Sequence, residues 1–290
     1  MNLATLLFYT WDPSKGIEIG SFTLHYYSLM FVLAFGIGYF LFVKMFKIDH
    51  ESDKNLDTIF TWTLLGTILG ARLGHVIFYQ PELFREDFWS VFLPIKTYPH
   101  FEFTGFSGLA SHGAAIVLVP STIYIAIKVL KKNPFWLLDR LAITVALAGF
   151  FIRIGNFFNS EIVGKPAPNF PFAVQFPQDH SYGDTVPRYP TQLFEAFSYL
   201  ALFFVMWGIY LYTKKKYRQG WLFGFFFAVL WSIRFLVEFL KEPQGDEKIT
   251  LGILNTGQVL SIPLIIIGII CMIYSKNYKY EEKVEVEVEA

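Results

Sequence analysis

Seven apolar segments divide this sequence, and each is about as long as a helix that crosses a membrane. A helix needs about 20 residues to span the roughly 30 Å hydrocarbon core of a bilayer. The segments lie near 26–46, 56–79, 107–128, 135–156, 190–212, 221–240 and 253–274. Hydrophobic residues make up 54% of the chain, which is more than an ordinary soluble domain contains. We therefore predict an all-α integral membrane protein with about seven transmembrane helices.

The lysines and arginines near the ends of these segments indicate how the helices are oriented. Thirteen of them lie in short segments on one side of the membrane, and seven are spread through longer segments on the other side. Because basic residues collect on the cytoplasmic side, we predict that the amino terminus lies outside and the carboxyl terminus inside. Residues 1–280 then form a single polytopic membrane domain with its long loops on the outer face. Residues 281–290 form an acidic cytoplasmic tail.

Charge and cysteine content argue against several classes of function. The formal net charge is zero, so the overall balance does not favour binding to nucleic acid. The single cysteine, Cys271, cannot form an internal disulfide or a thiolate metal cluster, and the six histidines show no metal-ligand spacing. We expect neither a metal ion nor a soluble cofactor.

A polar stretch lies at the end of the fourth apolar segment. Arg153, Asn156 and Glu161 occur where hydrocarbon or its border is expected. An ionisable side chain costs a few kcal/mol at the centre of a membrane helix, so it usually faces a polar cavity and marks a functional site. If the helix continues through Asn156, the spacing of three residues places Arg153 and Asn156 on one face.

Other spans contribute polar side chains at a similar depth. His112 lies among small residues at the start of the third span, and Arg234 precedes Glu238 by four residues in the sixth. Ten such residues fall in the predicted outer half of the membrane: Tyr27, Arg72, His112, Arg153, Asn156, Glu161, Gln192, Glu195, Arg234 and Glu238. We expect them to share one cavity. Its arginines favour an anionic ligand, and access from the bilayer favours a phospholipid headgroup.

Several of these residues also have a purely structural interpretation. Arg234 and Glu238 can form an ion pair within their helix. Tyr27 can belong to the aromatic belt at the membrane interface, and His112 can be a hydrogen-bonded structural residue. Arg140, near the cytoplasmic start of the fourth span, is expected to extend its guanidinium to the interface.

The polar stretch resembles a family signature. It reads Arg153-x-Gly155-Asn156-Phe157-x-Asn159-x-Glu161-x-x-Gly164, and it is similar to the signature of the prolipoprotein diacylglyceryl transferase family. Four further segments resemble family motifs: His112-Gly113, Tyr189 to Glu195, Ile233 to Phe239 and Leu254 to Pro263. Ile152 and Ala114 stand where the family commonly has glycine. Neither departure replaces a charged or titratable group.

The resemblance implies an enzyme of the bacterial cytoplasmic (inner) membrane. Such an enzyme transfers the sn-1,2-diacylglyceryl group from phosphatidylglycerol to the lipobox cysteine thiol of a prolipoprotein, forming a thioether and releasing glycerol 1-phosphate. The resemblance implies catalytic roles for His112, Arg153 and Arg234. We assign contacts with phosphatidylglycerol to Tyr27, Arg72, Arg153, Asn156, Glu161, Gln192, Glu195, Arg234 and Glu238. The resemblance implies that Glu238 holds Arg234 and that His112 is the base or hydrogen-bond partner of the thiol. A carboxylate, or electrostatics alone, are the alternatives for removing the thiol proton.

Two other classes of membrane protein agree less well with the sequence. A transporter of lipids or small anions would place charged groups near the bilayer centre and contain inverted repeats, and we find neither in the sequence. A receptor or scaffold would not need arginines inside several spans. A thioether product on a lipobox peptide would distinguish the enzyme from both.

Overall fold

The computed structural model describes residues 9–20, 22–93, 95–98, 100–103, 108, 110–179, 186–243 and 252–277. The chain divides into two compact units. One unit combines Met1–Leu41 with Leu138–Ala290, and the other consists of Phe42–Leu137. Most of the predicted site residues belong to the first unit, whereas Arg72 and His112 belong to the second.

Nine α-helices contain most of the described residues. They are α1 (Tyr26–Ile48), α2 (Leu56–Tyr79), α3 (Leu83–Glu86), α4 (Phe88–Phe92), α5 (Ser111–Tyr124), α6 (Pro134–Phe158), α7 (Thr191–Tyr212), α8 (Trp221–Val237) and α9 (Thr256–Tyr274). A π-helical segment, Ile125–Val129, continues α5, and a 3-10 turn, Glu238–Leu240, continues α8. Two other 3-10 turns are Asp53–Asn55 and Lys214–Tyr217. The predicted starts of the first, fifth and sixth spans agree with the structure to within one residue.

Five of these helices are long and apolar enough to cross a membrane. They are α1, α6, α7, α8 with its 3-10 turn, and α9. The second predicted span forms the 24-residue helix α2, which is less apolar because Asp57, Arg72 and His75 lie within it. The third forms α5 and its π-helical continuation, within which Gly113–Val129 is a shorter apolar helix. The five apolar helices indicate a membrane protein, and the count of about seven spans stays a prediction.

Short strands accompany the helices, and the prediction of an all-α chain did not include them. The parallel pair is β1 (Tyr9–Thr10) with β6 (Val174–Gln175). The antiparallel pairs are β2 (Gly16–Ile19) with β3 (Phe22–His25), β4 (Ile95–Lys96) with β5 (Glu102–Phe103), and β7 (Arg218–Gln219) with β8 (Lys276–Asn277). Strands of two to four residues are too short to show the alternation of apolar and polar residues by which a strand is identified. The described chain is nevertheless mostly helical.

The loop after α6 packs against the carboxyl end of that helix. Phe157, Val163, Val174 and Phe176 are buried together in an apolar cluster. The ring of Trp11 stacks on Phe157 with centroids 4.4 Å apart, and its Nε1 donates a hydrogen bond to the Phe157 carbonyl oxygen at 2.8 Å. This bond supplies a partner for one of the last carbonyls of α6, which have none within the helix. The cluster therefore fixes both ends of the short segment that carries Glu161.

A carboxylate from α6 binds the amino terminus of α8. Asp139 is fully buried and accepts hydrogen bonds from the backbone N–H groups of Gly220 and Phe223, both at 2.8 Å. The first N–H groups of a helix lack partners within it, and the helix dipole favours a negative charge there. The contact fixes α8 relative to α6 at the end opposite Arg234.

In the second unit, α2 and α5 approach so closely that their backbones touch. A methyl group on Gly113 would lie 2.6 Å from the Cα atom of Gly74, and it would also overlap the Gly70 carbonyl oxygen. Glycine permits helices to come this close because it has no side chain. The contact therefore fixes the backbone at the start of α5.

Candidate active site

The polar stretch at the end of α6 forms a continuous chain of side-chain contacts. Arg153 Nη1 donates a hydrogen bond to Asn156 Oδ1 at 3.1 Å, and Asn156 Nδ2 donates to Glu161 Oε1 at 2.6 Å. The helix continues to Phe158, so the prediction that Arg153 and Asn156 share a face is confirmed. Asn156 is buried, whereas Glu161 is exposed. The contacts therefore connect the buried side chain of Asn156 to an exposed carboxylate.

Tyr27, in the first turn of α1, packs beside this chain of contacts. Its hydroxyl interacts with the amide of Asn156. A methyl group on Gly155 would lie 2.7 Å from Tyr27 Cδ2, so glycine is what lets the aromatic ring come this close to α6. Tyr27 thus lies among the predicted site residues of the first unit.

A buried carboxylate, Glu195 of α7, holds two cations. Its Oε2 lies 2.8 Å from Arg153 Nε, and its Oε1 accepts a hydrogen bond from Lys241 Nζ at 2.7 Å. The side chain of Glu195 is completely buried, and that of Lys241 is 3% exposed. Tyr199, one turn after Glu195, also interacts with Arg153. A buried carboxylate is stable as an anion when cations and hydrogen bonds replace its hydration, so these groups depend on one another.

The expected ion pair between Arg234 and Glu238 is not formed in the part of the chain that the structure describes. Helix α8 ends at Val237 and the chain enters a 3-10 turn at Glu238, so a spacing of four residues no longer aligns the two side chains. Glu238 Oε2 instead lies 3.4 Å from Lys241 Nζ. Glu238 therefore belongs to the cluster around Lys241 and does not hold Arg234.

Arg234 lies near this cluster, and its guanidinium is partly buried. Its central carbon is 5.8 Å from the centroid of the Trp231 ring. Within the described ranges it has no ion-pair or hydrogen-bond partner. Its charge nevertheless acts on Glu195, Tyr199 and Lys241. An unpaired guanidinium near the end of an apolar helix is suited to bind an anionic group of a ligand.

The first turn of α7 contacts the loop that carries Glu161. Gln192 Nε2 donates a hydrogen bond to the Glu161 carbonyl oxygen at 2.8 Å, and Thr191 Oγ1 donates to the Ile162 carbonyl oxygen at 3.0 Å. Both donor side chains are completely buried. Gln192 therefore supports the loop backbone, and its expected contact with lipid stays a prediction.

Two predicted site residues belong to the second compact unit. Arg72 is buried there, and its guanidinium donates to the Ser90 carbonyl oxygen at 2.6 Å and to the Gly108 carbonyl oxygen at 3.4 Å. His112 lies in the first turn of α5, but its side chain is outside the described residues. The expectation that all ten residues share one cavity therefore stays a prediction.

Arg140 differs from the expectation that its guanidinium extends to the interface. The residue is only 3% exposed, and the guanidinium carbon lies 5.7 Å from the centroid of the Tyr210 ring. Its charge also acts on the neighbouring buried carboxylate of Asp139. The aromatic face and the carboxylate replace water around the guanidinium, which explains why it is buried.

Three residues that contact the predicted site residues or their loop were not themselves predicted as site residues. Lys241 follows an apolar helix, so it resembles an interfacial lysine. Its position three residues after Glu238 does indicate that the two side chains can pair. Tyr199 lies in an aromatic run that resembles a lipid-facing surface, and Thr191 carries no charge. Among the described side chains, no group of three or more histidines, cysteines and carboxylates comes together to hold a metal ion.

Most of the chain is similar to proteins of a single family. The family model described as prolipoprotein diacylglyceryl transferase matches residues 15–274. The phosphatidylglycerol–prolipoprotein diacylglyceryl transferase of Tolumonas auensis is 36% identical over 281 residues, which cover 94% of this chain and 99% of that protein. Proteins of the same name from Bacteroides fragilis and Chloroherpeton thalassium are 35% and 32% identical, over 93% and 98% of this chain and 96% and 99% of their own lengths. The chain therefore belongs to the prolipoprotein diacylglyceryl transferase family.

Proposed function

We propose that this chain is a phosphatidylglycerol–prolipoprotein diacylglyceryl transferase. It transfers the sn-1,2-diacylglyceryl group of phosphatidylglycerol to the lipobox cysteine of a prolipoprotein, which is the first step of bacterial lipoprotein maturation. Family membership and the names of the relatives support this activity. The structural observation that carries the proposal is the guanidinium of Arg234, which has no ion-pair partner among the described side chains and whose charge acts on the buried Glu195 and Lys241.

The charged side chains around Glu195 leave one cation for an anionic ligand. Arg153 and Lys241 share the Glu195 carboxylate, and Glu238 lies beside Lys241. Two cations thus face two carboxylates. Arg234 adds a positive charge that has no ion-pair partner among the described side chains. The phosphodiester of phosphatidylglycerol carries one negative charge, and a guanidinium can bind it through two parallel hydrogen bonds.

The reaction forms a carbon–sulfur bond and breaks a carbon–oxygen bond. The cysteine sulfur attacks the glyceryl carbon that bears the phosphate, and glycerol 1-phosphate leaves with the bonding electrons. The thiol must lose its proton because the thiolate is the nucleophile, and negative charge grows on the departing phosphate. We assign Arg234 and Arg153 to that phosphate. Because Glu195 and Asn156 already hold Arg153, its remaining N–H groups are oriented before the lipid binds.

Asn156, Glu161 and Tyr27 are assigned to the lipid headgroup. The exposed carboxylate of Glu161 can accept a hydrogen bond from a hydroxyl of the headgroup glycerol. Asn156 fixes that carboxylate, and Tyr27 lies beside Asn156. These contacts would favour a headgroup that donates hydrogen bonds over one that cannot.

His112 and Arg72 keep the roles that the sequence suggests. His112 is assigned to the prolipoprotein thiol, as its base or its hydrogen-bond partner, and Arg72 to the lipid phosphate. Both assignments rest on residue type, on position in the predicted spans and, for His112, on the family resemblance. The scheme uses no metal ion or soluble cofactor.

The proposal includes the arrangement in the membrane. The chain crosses the bacterial cytoplasmic membrane seven times as a single membrane domain, with its amino terminus and the active site toward the outside. The acidic tail, 281–290, lies in the cytoplasm. Five apolar helices and the excess of basic residues in short segments support this arrangement. Helix α2, with 24 residues, and the 14 residues of α5 with five more in its continuation are long enough for the other two spans.

Formation of a thioether tests the proposed activity. The purified protein is reconstituted with phosphatidylglycerol vesicles and a lipobox peptide, and mass spectrometry measures the diacylglyceryl mass added at cysteine. We expect modified peptide and glycerol 1-phosphate in equal amounts. A peptide with serine in place of the cysteine, and vesicles of phosphatidylcholine, serve as controls that should give no product. Folded, helical protein that leaves the cysteine peptide unmodified would contradict the proposal.

A further inference from the structure

The two residues that flank Glu161 have left-handed backbone conformations. The φ angle is 52° at Ser160 and 61° at Ile162. This conformation is uncommon for residues other than glycine, and for a β-branched residue such as isoleucine it is a genuine outlier. Such strain persists where the surrounding structure enforces it, and it is concentrated at functional sites. The surroundings of this loop therefore hold Glu161 in a place that the local sequence does not favour.

Two donors from α7 enforce the conformation. The Thr191 hydroxyl binds the Ile162 carbonyl oxygen, and the Gln192 amide binds the Glu161 carbonyl oxygen. Both donor side chains are completely buried, so water does not compete for these donors. Helix α7 is itself tied to α6 by the ion pair between Glu195 and Arg153. The strained loop is thus held by a helix whose own position is fixed.

We propose that Thr191 is a positioning residue for the transfer reaction. Its hydroxyl holds the left-handed Ile162 peptide and so keeps the Glu161 carboxylate against Asn156, in the chain of contacts that leads to Arg153. Gln192 has the same role at the preceding carbonyl and acts through the loop. The inference rests on the proposed function, in which Glu161 accepts a hydrogen bond from the lipid headgroup.

Removing the Thr191 hydroxyl should let the loop relax. Without that donor, Ile162 gains by moving to a negative φ, which is the ordinary range for a β-branched residue. A change of φ at Ile162 rotates the peptide that joins it to Glu161. The carboxylate then leaves Asn156 part of the time, and the headgroup loses a preorganised acceptor.

Matched substitutions at Thr191 test this role. Thr191→Val keeps the shape but removes the hydroxyl, and it should lower kcat/KM for phosphatidylglycerol about three- to tenfold, as expected for one lost hydrogen bond. Thr191→Ser keeps the hydroxyl and should stay within about twofold of wild type. Thr213→Val removes an exposed hydroxyl that binds the Ile209 carbonyl oxygen at the other end of α7, and it should leave kcat/KM unchanged. Equal rates for Thr191→Val and wild type would overturn the inference.

A double-mutant cycle distinguishes positioning from general structural support. If Thr191 acts through Glu161, then Thr191→Val should have little further effect on kcat/KM in a Glu161→Gln background. Independent, multiplicative losses would overturn the inference, because Thr191 would then act by another route. A wild-type rate in Glu161→Gln would overturn it as well, since Glu161 would have no role for Thr191 to support.

Hydrogen exchange provides a readout that does not depend on transfer. The amide of Glu161 donates to the Asn156 carbonyl oxygen at 3.1 Å, and the amide of Ser160 donates to the Phe157 carbonyl oxygen at 3.1 Å. Thr191→Val should speed exchange in the peptide that contains these amides, and Thr191→Ser should not. Unchanged exchange in Thr191→Val would overturn the inference whatever the transfer assay gives. Absence of transfer by the wild-type protein, with faster exchange in Thr191→Val, would contradict only the proposed function.

Discussion

Arg153 and Arg234 carry the same chemical group, but the protein holds them differently. Arg153 is fixed by contacts with Glu195 and Asn156. Arg234 lies beside the ring of Trp231 and has no ion-pair partner within the described ranges. A guanidinium without a protein partner is oriented by its ligand, so its planar shape matters directly for binding. Substitutions of Arg234 should therefore change ligand binding alone, whereas substitutions of Arg153 would also remove its contacts with Glu195 and Asn156.

Arg234→Lys should lower turnover although it keeps the positive charge. An ammonium group cannot form the two parallel hydrogen bonds that a guanidinium forms with a phosphate. One hydrogen bond to a charged group contributes about 1.5–3 kcal/mol. If that bond forms in the transition state, its loss lowers the rate by about one to two decades. The measurement is kcat/KM for phosphatidylglycerol with a lipobox peptide.

Arg85→Lys is the matched control for this substitution. Arg85 is an exposed residue of the short helix α3, and we assign it no role in the site. The control should turn over at the wild-type rate. Wild-type turnover in Arg234→Lys, at normal expression, would remove Arg234 from the mechanism.

The role of His112 should be visible in the pH dependence of the chemical step. A general base is active when its imidazole is neutral, and an ordinary imidazole has a pKa near 6.5, so activity should rise between about pH 6 and pH 7. If His112 is the base, His112→Gln should lower the single-turnover rate by about two to four decades and remove this rise. His100→Gln changes an exposed histidine and should preserve both rate and profile.

A smaller effect of His112→Gln would mean that the thiol loses its proton without His112. If His112→Gln loses less than about tenfold and keeps the shape of the pH profile, His112 is not the base. The arginines assigned to the lipid phosphate would then favour the thiolate electrostatically, because a cation stabilises the charged form of an acidic group.

Three helical elements meet at the Glu195 carboxylate. Glu195 belongs to α7, Arg153 to α6, and Lys241 follows the 3-10 turn that ends α8. Each element would carry an uncompensated buried charge if the other two moved away. The ion pairs therefore couple the ends of these helices, and the Gly164–Lys241 bridge joins the loop after α6 to the same point.

Lys241→Met should destabilise the fold, because Glu195 would lose one of its two cations. Removing one partner of a buried ion pair costs about 3–5 kcal/mol, and we expect the lower end because Arg153 remains. The free energy of unfolding can be measured with denaturant in mixed micelles. Lys214→Met, at an exposed lysine, should change it by less than about 0.5 kcal/mol. A free energy of unfolding that is unchanged in Lys241→Met would show that Lys241 does not support the buried carboxylate.

The helices could be predicted from the sequence, but the contacts within the cluster could not. An apolar run of about 20 residues crosses a bilayer as a helix, because a helix satisfies its backbone polar groups internally. Helices α1, α7 and α8 accordingly begin within a residue of their predicted starts. The pairing of Lys241 with Glu195 depends on a 3-10 turn and on helix packing, neither of which has a pattern in the sequence. The same turn explains why the spacing of Arg234 and Glu238 suggested a pair that does not form.

The whole chain should have its amino terminus outside and its carboxyl terminus in the cytoplasm. Cysteine accessibility can measure this in a Cys271→Ser background, which removes the natural cysteine. A membrane-impermeant maleimide should label Asn169→Cys in intact spheroplasts, because the loop after α6 is predicted to lie outside. Lys214→Cys should react only after lysis. The reverse pattern would invert the orientation and place the candidate site toward the cytoplasm.

The close approach of α9 to Glu238 has a consequence for genetics. A methyl group on Gly257 would lie 2.7 Å from the Glu238 carboxyl carbon, which is the movable end of a long side chain. Alanine at position 257 would therefore displace the carboxylate from Lys241 without forcing the backbone apart. Because Glu238 is predicted to contact phosphatidylglycerol, a selection for alleles that are normally expressed but defective in lipoprotein modification should recover Gly257→Ala. In this allele the amount of protein should stay normal while the transfer activity falls, although glycine has no side-chain functional group.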